Sequence, residues 1–247
     1  MAAADFTNIL PDPNNAYNDA GQAAGSQKGP GYASVKLASE HEIMKTKTNS
    51  GRMITRDNSH HKWTIDITYN PMTREEFEPV YSFLLQKRGF LKPFFVSLPQ
   101  HKEPRDSNFA SNSDVNNFSP TADHDAGLTN MMITVAGYDS TVASNGKPRP
   151  GDVFTIDDTN DSNHTKTYQV TRVETSTDYE TGTTAPTDAQ LRVHFIPALQ
   201  RSVQASTTDL IFSNPLFRVY CATDVQEYQL GSNNLYEFSL KLEEAQK

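Results

Sequence analysis

The chain has 247 residues, a formal net charge of −8, 21% charged and 10% aromatic residues, and a single cysteine. It is long enough for one large or two modest folded domains. The acidic balance argues against a nucleic-acid binder, which needs clustered Lys and Arg to neutralise phosphate; Lys45 and Lys47 stand isolated in the sequence. Cys221 alone excludes an intramolecular disulfide framework, and its strand-like surroundings predict a buried structural thiol. No apolar run nears the roughly 20 residues of a membrane span. The first residues lack the basic start and apolar core of a signal peptide, so synthesis in a reducing cytoplasm is expected.

In chain order, residues 1–31 are rich in Asn, Ala, Gly, Pro and Gln and cannot pack a core alone, which predicts a flexible arm, either a free tail or one that orders against a neighbouring subunit. Ala33–Leu37 and Glu42–Lys47 read as short strands, with Asn49-Ser50-Gly51 as a turn and Arg52–Asp57 continuing the meander. Lys62–Tyr69 alternates, with Trp63, Ile65, Ile67 and Tyr69 on one face, and predicts a half-buried strand. A helix follows, with Thr73 as N-cap and Glu76 at capping-box spacing. Phe77, Val80, Tyr81, Leu84 and Leu85 fall at i, i+3, i+4, i+7 and i+8 and predict one buried stripe. Pro79 removes a helix hydrogen bond and predicts a kink, while Gly89 predicts the stop. Phe90–Leu98, closed by Pro99, predicts a buried strand with Phe94 and Phe95 in the core.

Gln100–Gly127 is polar and broken by proline, which marks a domain boundary or a long exposed loop. Five short apolar runs then follow between turn residues: Met131–Ala136, Asp152–Ile156, Thr167–Val173, Leu191–Ile196 and Asp209–Phe212. Without a helical period, they predict an all-β barrel or sandwich. Leu216–Ala222, Val225–Leu230 and Tyr236–Leu242 read as strands, with Val219 and Phe238 in the core. The expected fold is therefore α+β: a mainly antiparallel domain with one main helix (32–124 and 213–247), interrupted by an all-β insertion (125–212).

No catalytic, cofactor-binding or metal-ligating pattern emerges. His60 and His61 are adjacent and point to opposite faces of an extended segment, and His101, His124, His164 and His194 lack partners at ligand spacing. The loop Asp157–Asn163 offers oxygens but lacks the closing carboxylate of a calcium site, and Asp and Asn there read as turn residues. No metal, cofactor or enzymatic role is expected. Tyr138, Tyr168 and Tyr179 in the inserted unit leave open a carbohydrate-binding or host-recognition module, against the alternative that aromatic residues on strands are core.

The alternating strand, then Arg74-Glu75-Glu76-Phe77-Glu78-Pro79-Val80-Tyr81-Ser82-Phe83-Leu84, then Lys92-Pro93-Phe94-Phe95-Val96-Ser97-Leu98-Pro99, resembles the minor tail, or tail-tip, proteins of long-tailed bacteriophages, the family of phage lambda protein M. The strand Phe217–Tyr220 and the alternating strand Tyr236–Leu242 are similar too, so the resemblance covers residues 62–100 and 215–245. The segment near 110–212 departs from that family and is similar to the extra β-barrel of some distal tail proteins. The resemblance implies a non-enzymatic structural protein of the virion tail, synthesised in the host cytoplasm. It implies a homo-oligomeric ring, a hexamer, whose neighbours are the tail tube and the hub or baseplate. DNA would pass through such a ring without sequence-specific binding, and no membrane contact is implied.

Overall fold

The computed structural model describes residues 8–18, 21–22 and 25–245, with backbone only at 57–60. In chain order its first elements are β1 (Tyr32–Lys47), β2 (Met53–Tyr69), α1 (Arg74–Lys87), β3 (Phe94–Ser97), α2 (Ser107–Ala110), β4 (Ser119–Pro120) and β5 (Asn130–Thr134). Then come β6 (Val153–Asp158), β7 (Thr167–Glu174), β8 (Gln190–Ile196), β9 (Thr208–Ile211) and β10 (Leu216–Cys221). The short β11 (Gln229–Leu230), β12 (Tyr236–Glu237) and the longer β13 (Ser239–Glu244) complete the chain. The fold is α+β, mostly antiparallel strand with one main helix, and it divides into two units. One comprises the chain up to Val96 with Arg218–Ala245, the other Ser97–Phe217.

The first unit is a five-stranded sheet in the order β1-β2-β13-β10-β3. Strict alternation on β2 sends Trp63, Ile65, Ile67 and Tyr69 inward, with Leu240 and Leu242 of β13 opposite Ile67 and Ile65; Val219 and Cys221 of β10 and Phe94 and Val96 of β3 are buried too. Helix α1 begins as its sequence dictates: the Thr73 backbone N–H donates to the Glu76 carboxylate at 2.9 Å. Pro79 lies inside the helix, which runs as one element from Arg74 to Lys87. It ends at Arg88, which takes the left-handed conformation, and Gly89 follows with φ 62°, where an added Cβ would run into Asp224. Phe77, Val80 and Leu84 are buried, and the Phe77 ring stacks on Tyr236 with centroids 4.5 Å apart.

Several expectations are corrected. The buried stripe of α1 continues from Leu84 to Lys87, whose ammonium lies over the Phe83 ring. Leu85 therefore sits roughly 100° round the helix from the middle of the stripe and is 53% exposed, and Tyr81 is only half-buried. Phe95 is half-buried because alternation on β3 turns it away from Phe94 and Val96. Strand β3 starts at Phe94, since Phe90 and Leu91 form the turn after the helix and are exposed. Only Gln229 and Leu230 of the expected strand Val225–Leu230 pair. The strands expected as short pieces before Tyr69 are two continuous strands of 16 and 17 residues.

The described part of the N-terminal stretch is not a free arm. Leu10 is fully buried, its N–H donates to the Phe95 carbonyl at 2.8 Å, and the Phe95 N–H donates to Asn8 at 2.7 Å. This parallel pairing covers the outer edge of β3. Residues 1–7, 19–20 and 23–24 of that expectation lie outside the described residues.

The second unit is a six-stranded antiparallel sheet, β4-β5-β8-β7-β6-β9, curled until it nearly closes. Leu210 on β9 donates its N–H to the carbonyl of Phe118, just before β4, at 2.8 Å. The unit begins at Ser97 rather than near 125, because the polar stretch 100–127 contributes core: Phe109 on α2, Val115 and Phe118 are buried. Phe154 lies at the centre, its ring 5.4 Å from Tyr168, 5.6 Å from Phe195 and 5.3 Å from Phe212.

Candidate assembly interface

Cys221 is buried, and burial pushes its thiol up to about 11. His164 is buried with Nε2 2.9 Å from the Tyr168 hydroxyl, which also accepts the Gln200 N–H at 3.0 Å. Burial lowers the His164 pKa to about 4 against the opposing pull of Asp161 and Asp158. Burial likewise lowers His101 and His124. His61 stacks edge-on against both His41 and Trp63 with ring centroids 4.7 Å apart, and its Nε2 lies 2.9 Å from the Ser39 hydroxyl; the side chain of His60 lies outside the described residues. In the Asp157–Asn163 loop, Asp158 accepts the Asn160 N–H, Asp161 accepts the Asn163 N–H, and Arg201 pairs with Asp161. These are turn and loop contacts, and no group of three His, Cys, Asp or Glu among the described residues is placed to hold a metal.

The densest polar network is on the barrel. Glu174, nearly fully buried, accepts from Arg192 at 2.7 Å and from His194 at 3.0 Å, and pairs with Arg172 at 2.7 Å. Burial opposes its ionisation, yet the hydrogen bonds from His194 and Arg192 hold the carboxyl below its ordinary value. Arg192 also donates to Thr183 and Thr184, and Arg172 to Glu180. The network ties the 175–189 loop to strands β7 and β8. The sugar-stacking candidates fare unevenly: Tyr168 is fully buried, Tyr138 nearly so with its hydroxyl on the Gly146 carbonyl, and only Tyr179 is exposed.

What the first unit does present is an unfinished sheet. Strand β13 pairs with β2 only over Thr64–Thr68, and at the far end Met53–Asp57 of β2 pair with Ile43–Lys47 of β1. At about 3.3 Å per residue the nine β1 residues beyond the β13 pairing, Ser39–Lys47, give a two-stranded ribbon about 30 Å long. Among the described residues nothing pairs with the outer edge of β1, whereas the β3 edge is covered by residues 8–10. Toward the ribbon tip Ile43, Met44, Met53 and Ile54 are 47%, 59%, 63% and 50% exposed. Two-stranded ribbons are marginal in water, and long edges with exposed apolar residues invite pairing. A second apolar patch, Leu85, Phe90 and Leu91, is exposed around the end of α1.

Sequence reasoning found the tip of the ribbon, with Glu42–Lys47, the turn at Asn49-Ser50-Gly51, where Gly51 has φ 84°, and Arg52–Asp57, but not that its strands run unbroken from Tyr32 and to Tyr69. No family model matches this sequence, and a search of curated proteins returns no significant match.

Proposed function

We propose that this chain is a non-enzymatic structural component of a bacteriophage tail, forming a ring at the distal tail or tail tip that joins the tail tube to the hub or baseplate. The reading is supported by the order of elements on which the resemblance rests: the alternating strand β2, the capped helix α1 with Glu78-Pro79-Val80 inside it, and the aromatic strand β3 running to Pro99. Strands β10 and β13, which close the same sheet, carry the remaining part of that resemblance. The observation that carries the assembly half of the proposal is the long β1–β2 ribbon, open at its edge and apolar near its tip.

An open edge on one side of a protomer meeting a different surface on the next is a heterologous contact, which closes into a ring when the rotation permits and otherwise runs on as a filament. In a ring of this kind the copies are virion components, and a formal charge of −8 per chain disfavours adhesion of DNA passing through. Mass photometry and negative-stain imaging of the purified protein at low salt test the proposal. The expected result is a closed annulus of fixed copy number, sixfold or threefold. A chain that remains monomeric at micromolar concentration contradicts it.

A further inference from the structure

We propose that the ribbon tip of one copy seats in the groove between the N-terminal segment and helix α1 of a second copy. This deepens the ring reading above and rests on it for the closed geometry.

The tip has an uneven composition. From Ile43 to Arg56 the chain carries Lys45, Lys47, Arg52 and Arg56 and no acidic residue, in a protein whose net charge is −8. Lys45 and Lys47, isolated along the sequence, are brought beside the returning strand by the register, in which Lys45 pairs with Thr55 and Met44 with Arg56. None of these four cations has a salt-bridge partner among the described residues. Residues directly opposite in an antiparallel pair share a face, and alternate pairs share it again. Met44 and Arg56 therefore stand on the same face as Thr46 and Ile54. That face offers two exposed apolar side chains beside a guanidinium.

The groove offers the complement. It has a volume of about 660 Å³ and is lined by Ile9, Tyr17, Pro79 and Phe83 among others; among the described residues its charged groups are Glu75 and Glu78, with no Lys or Arg. Glu78 is already held by Arg74 at 2.6 Å, and Glu76 is turned back to cap the helix, so Glu75 is the carboxylate available to Arg56. The sheet order keeps the two surfaces apart. The ribbon leaves from the β1 side, whereas Ile9 in the groove is paired to Phe95 of β3 at the opposite edge. With the ribbon leaving the sheet beyond Thr64 on the β1 side and the groove at the far edge, the tip is assigned to the groove of another copy, and each copy uses both surfaces. Burial of Met44 and Ile54 supplies attraction, and the charge pairing selects register and orientation.

The experiment uses the full chain with two single-cysteine additions, Met44→Cys on the tip and Ser82→Cys in the groove; native Cys221 is buried. Mixed and oxidised, the two variants are expected to give a disulfide-linked dimer that neither gives alone. In parallel, Arg56→Glu should raise the concentration needed for assembly at least about tenfold, and Glu75→Lys added to it should restore assembly. A wild-type annulus with no mixed crosslink overturns the tip-in-groove contact and leaves the ring. Linkage of Met44→Cys chains to each other alone overturns it in favour of a two-fold tip-to-tip contact, and a charge swap that fails to rescue overturns it as well. A mixed crosslink from a chain that forms no closed annulus supports the contact and removes the ring. A monomer with no mixed crosslink removes both.

Discussion

In the barrel, the strand path comes back to its start: the Leu210 N–H reaches the Phe118 carbonyl, and the aromatic residues Phe109, Phe118, Phe154, Tyr168 and Phe212 all face the interior. In the five-stranded unit only one edge is closed, by residues 8–10 on β3, while β1 and the distal half of β2 stand with their edge open and with Ile43, Met44, Met53 and Ile54 in solvent. The two units meet the same difficulty, the exposed edge of a sheet, in different ways. Curling nearly closes the edge within one unit; the other unit leaves it open. The barrel's energetics should therefore be a matter of its own core, and those of the ribbon a matter of concentration.

The largest expected effect lies in the barrel core. Phe154→Ala removes a fully buried ring with three aromatic neighbours and should cost about 3–5 kcal/mol of unfolding free energy, the usual range for buried Phe. Urea unfolding followed by fluorescence checks it, and a loss below 1 kcal/mol would mean the barrel leans on something beyond its interior. Leu84→Ala in the sheet unit should cost about 2–5 kcal/mol by the same cavity argument. An unchanged melting temperature would contradict its place in the core.

The stretches that were legible and those that were not follow the same division between inside and outside. The alternation of Trp63, Ile65, Ile67 and Tyr69 and the spacing of Phe77, Val80 and Leu84 are visible because each element buries one face and wets the other. The middle of β1, around Ala38 to His41, is half-buried or exposed throughout, so polarity carries no period there and one long strand reads as two short ones. Phe109, Val115 and Phe118 sit too far apart in a polar stretch to form a pattern; Phe109 and Phe118 are buried against Phe212, distant in sequence. Leu10 is similarly invisible, since its burial depends on two backbone hydrogen bonds to Phe95. The candidate interface was the least legible part, because its charge cluster exists only once β1 and β2 are paired.

Acid should sharpen the comparison, since both strongly placed titrating groups are on the barrel. His164 has its folded pKa lowered to about 4 by burial, against an ordinary value near 6.5. As the pH falls between those values the unfolded chain binds a proton that the folded chain does not, so stability falls across this window and is flat above it. At about 1.4 kcal/mol per unit the loss is at most about 3.5 kcal/mol. Glu174 has the opposite charge type but the same direction of shift. Its stabilising contribution is present above the ordinary glutamate value near 4.3 and is lost as the pH drops below it toward the lowered folded pKa. Melting temperature against pH should thus show two successive declines: His164→Gln should flatten the upper one, and Glu174→Gln the lower.

The smallest effect on stability is expected where the effect on assembly is largest. Ile54→Lys places a charge at a position half open to solvent, with no cavity formed and no hydrogen bond of the β1–β2 ladder removed. Surface changes of this kind stay within about 0.5 kcal/mol, so the melting temperature measured on dilute monomer should not move. The same substitution abolishes one of the two apolar contacts on the Met44 face and adds a cation to a tip that already carries four, so oligomers seen by mass photometry should shift toward monomer. A drop in monomer stability comparable to that of Leu84→Ala would mean that Ile54 is buried within its own chain. The ribbon would then be a finished part of the fold, and the contrast between a closed barrel and an open sheet would no longer hold.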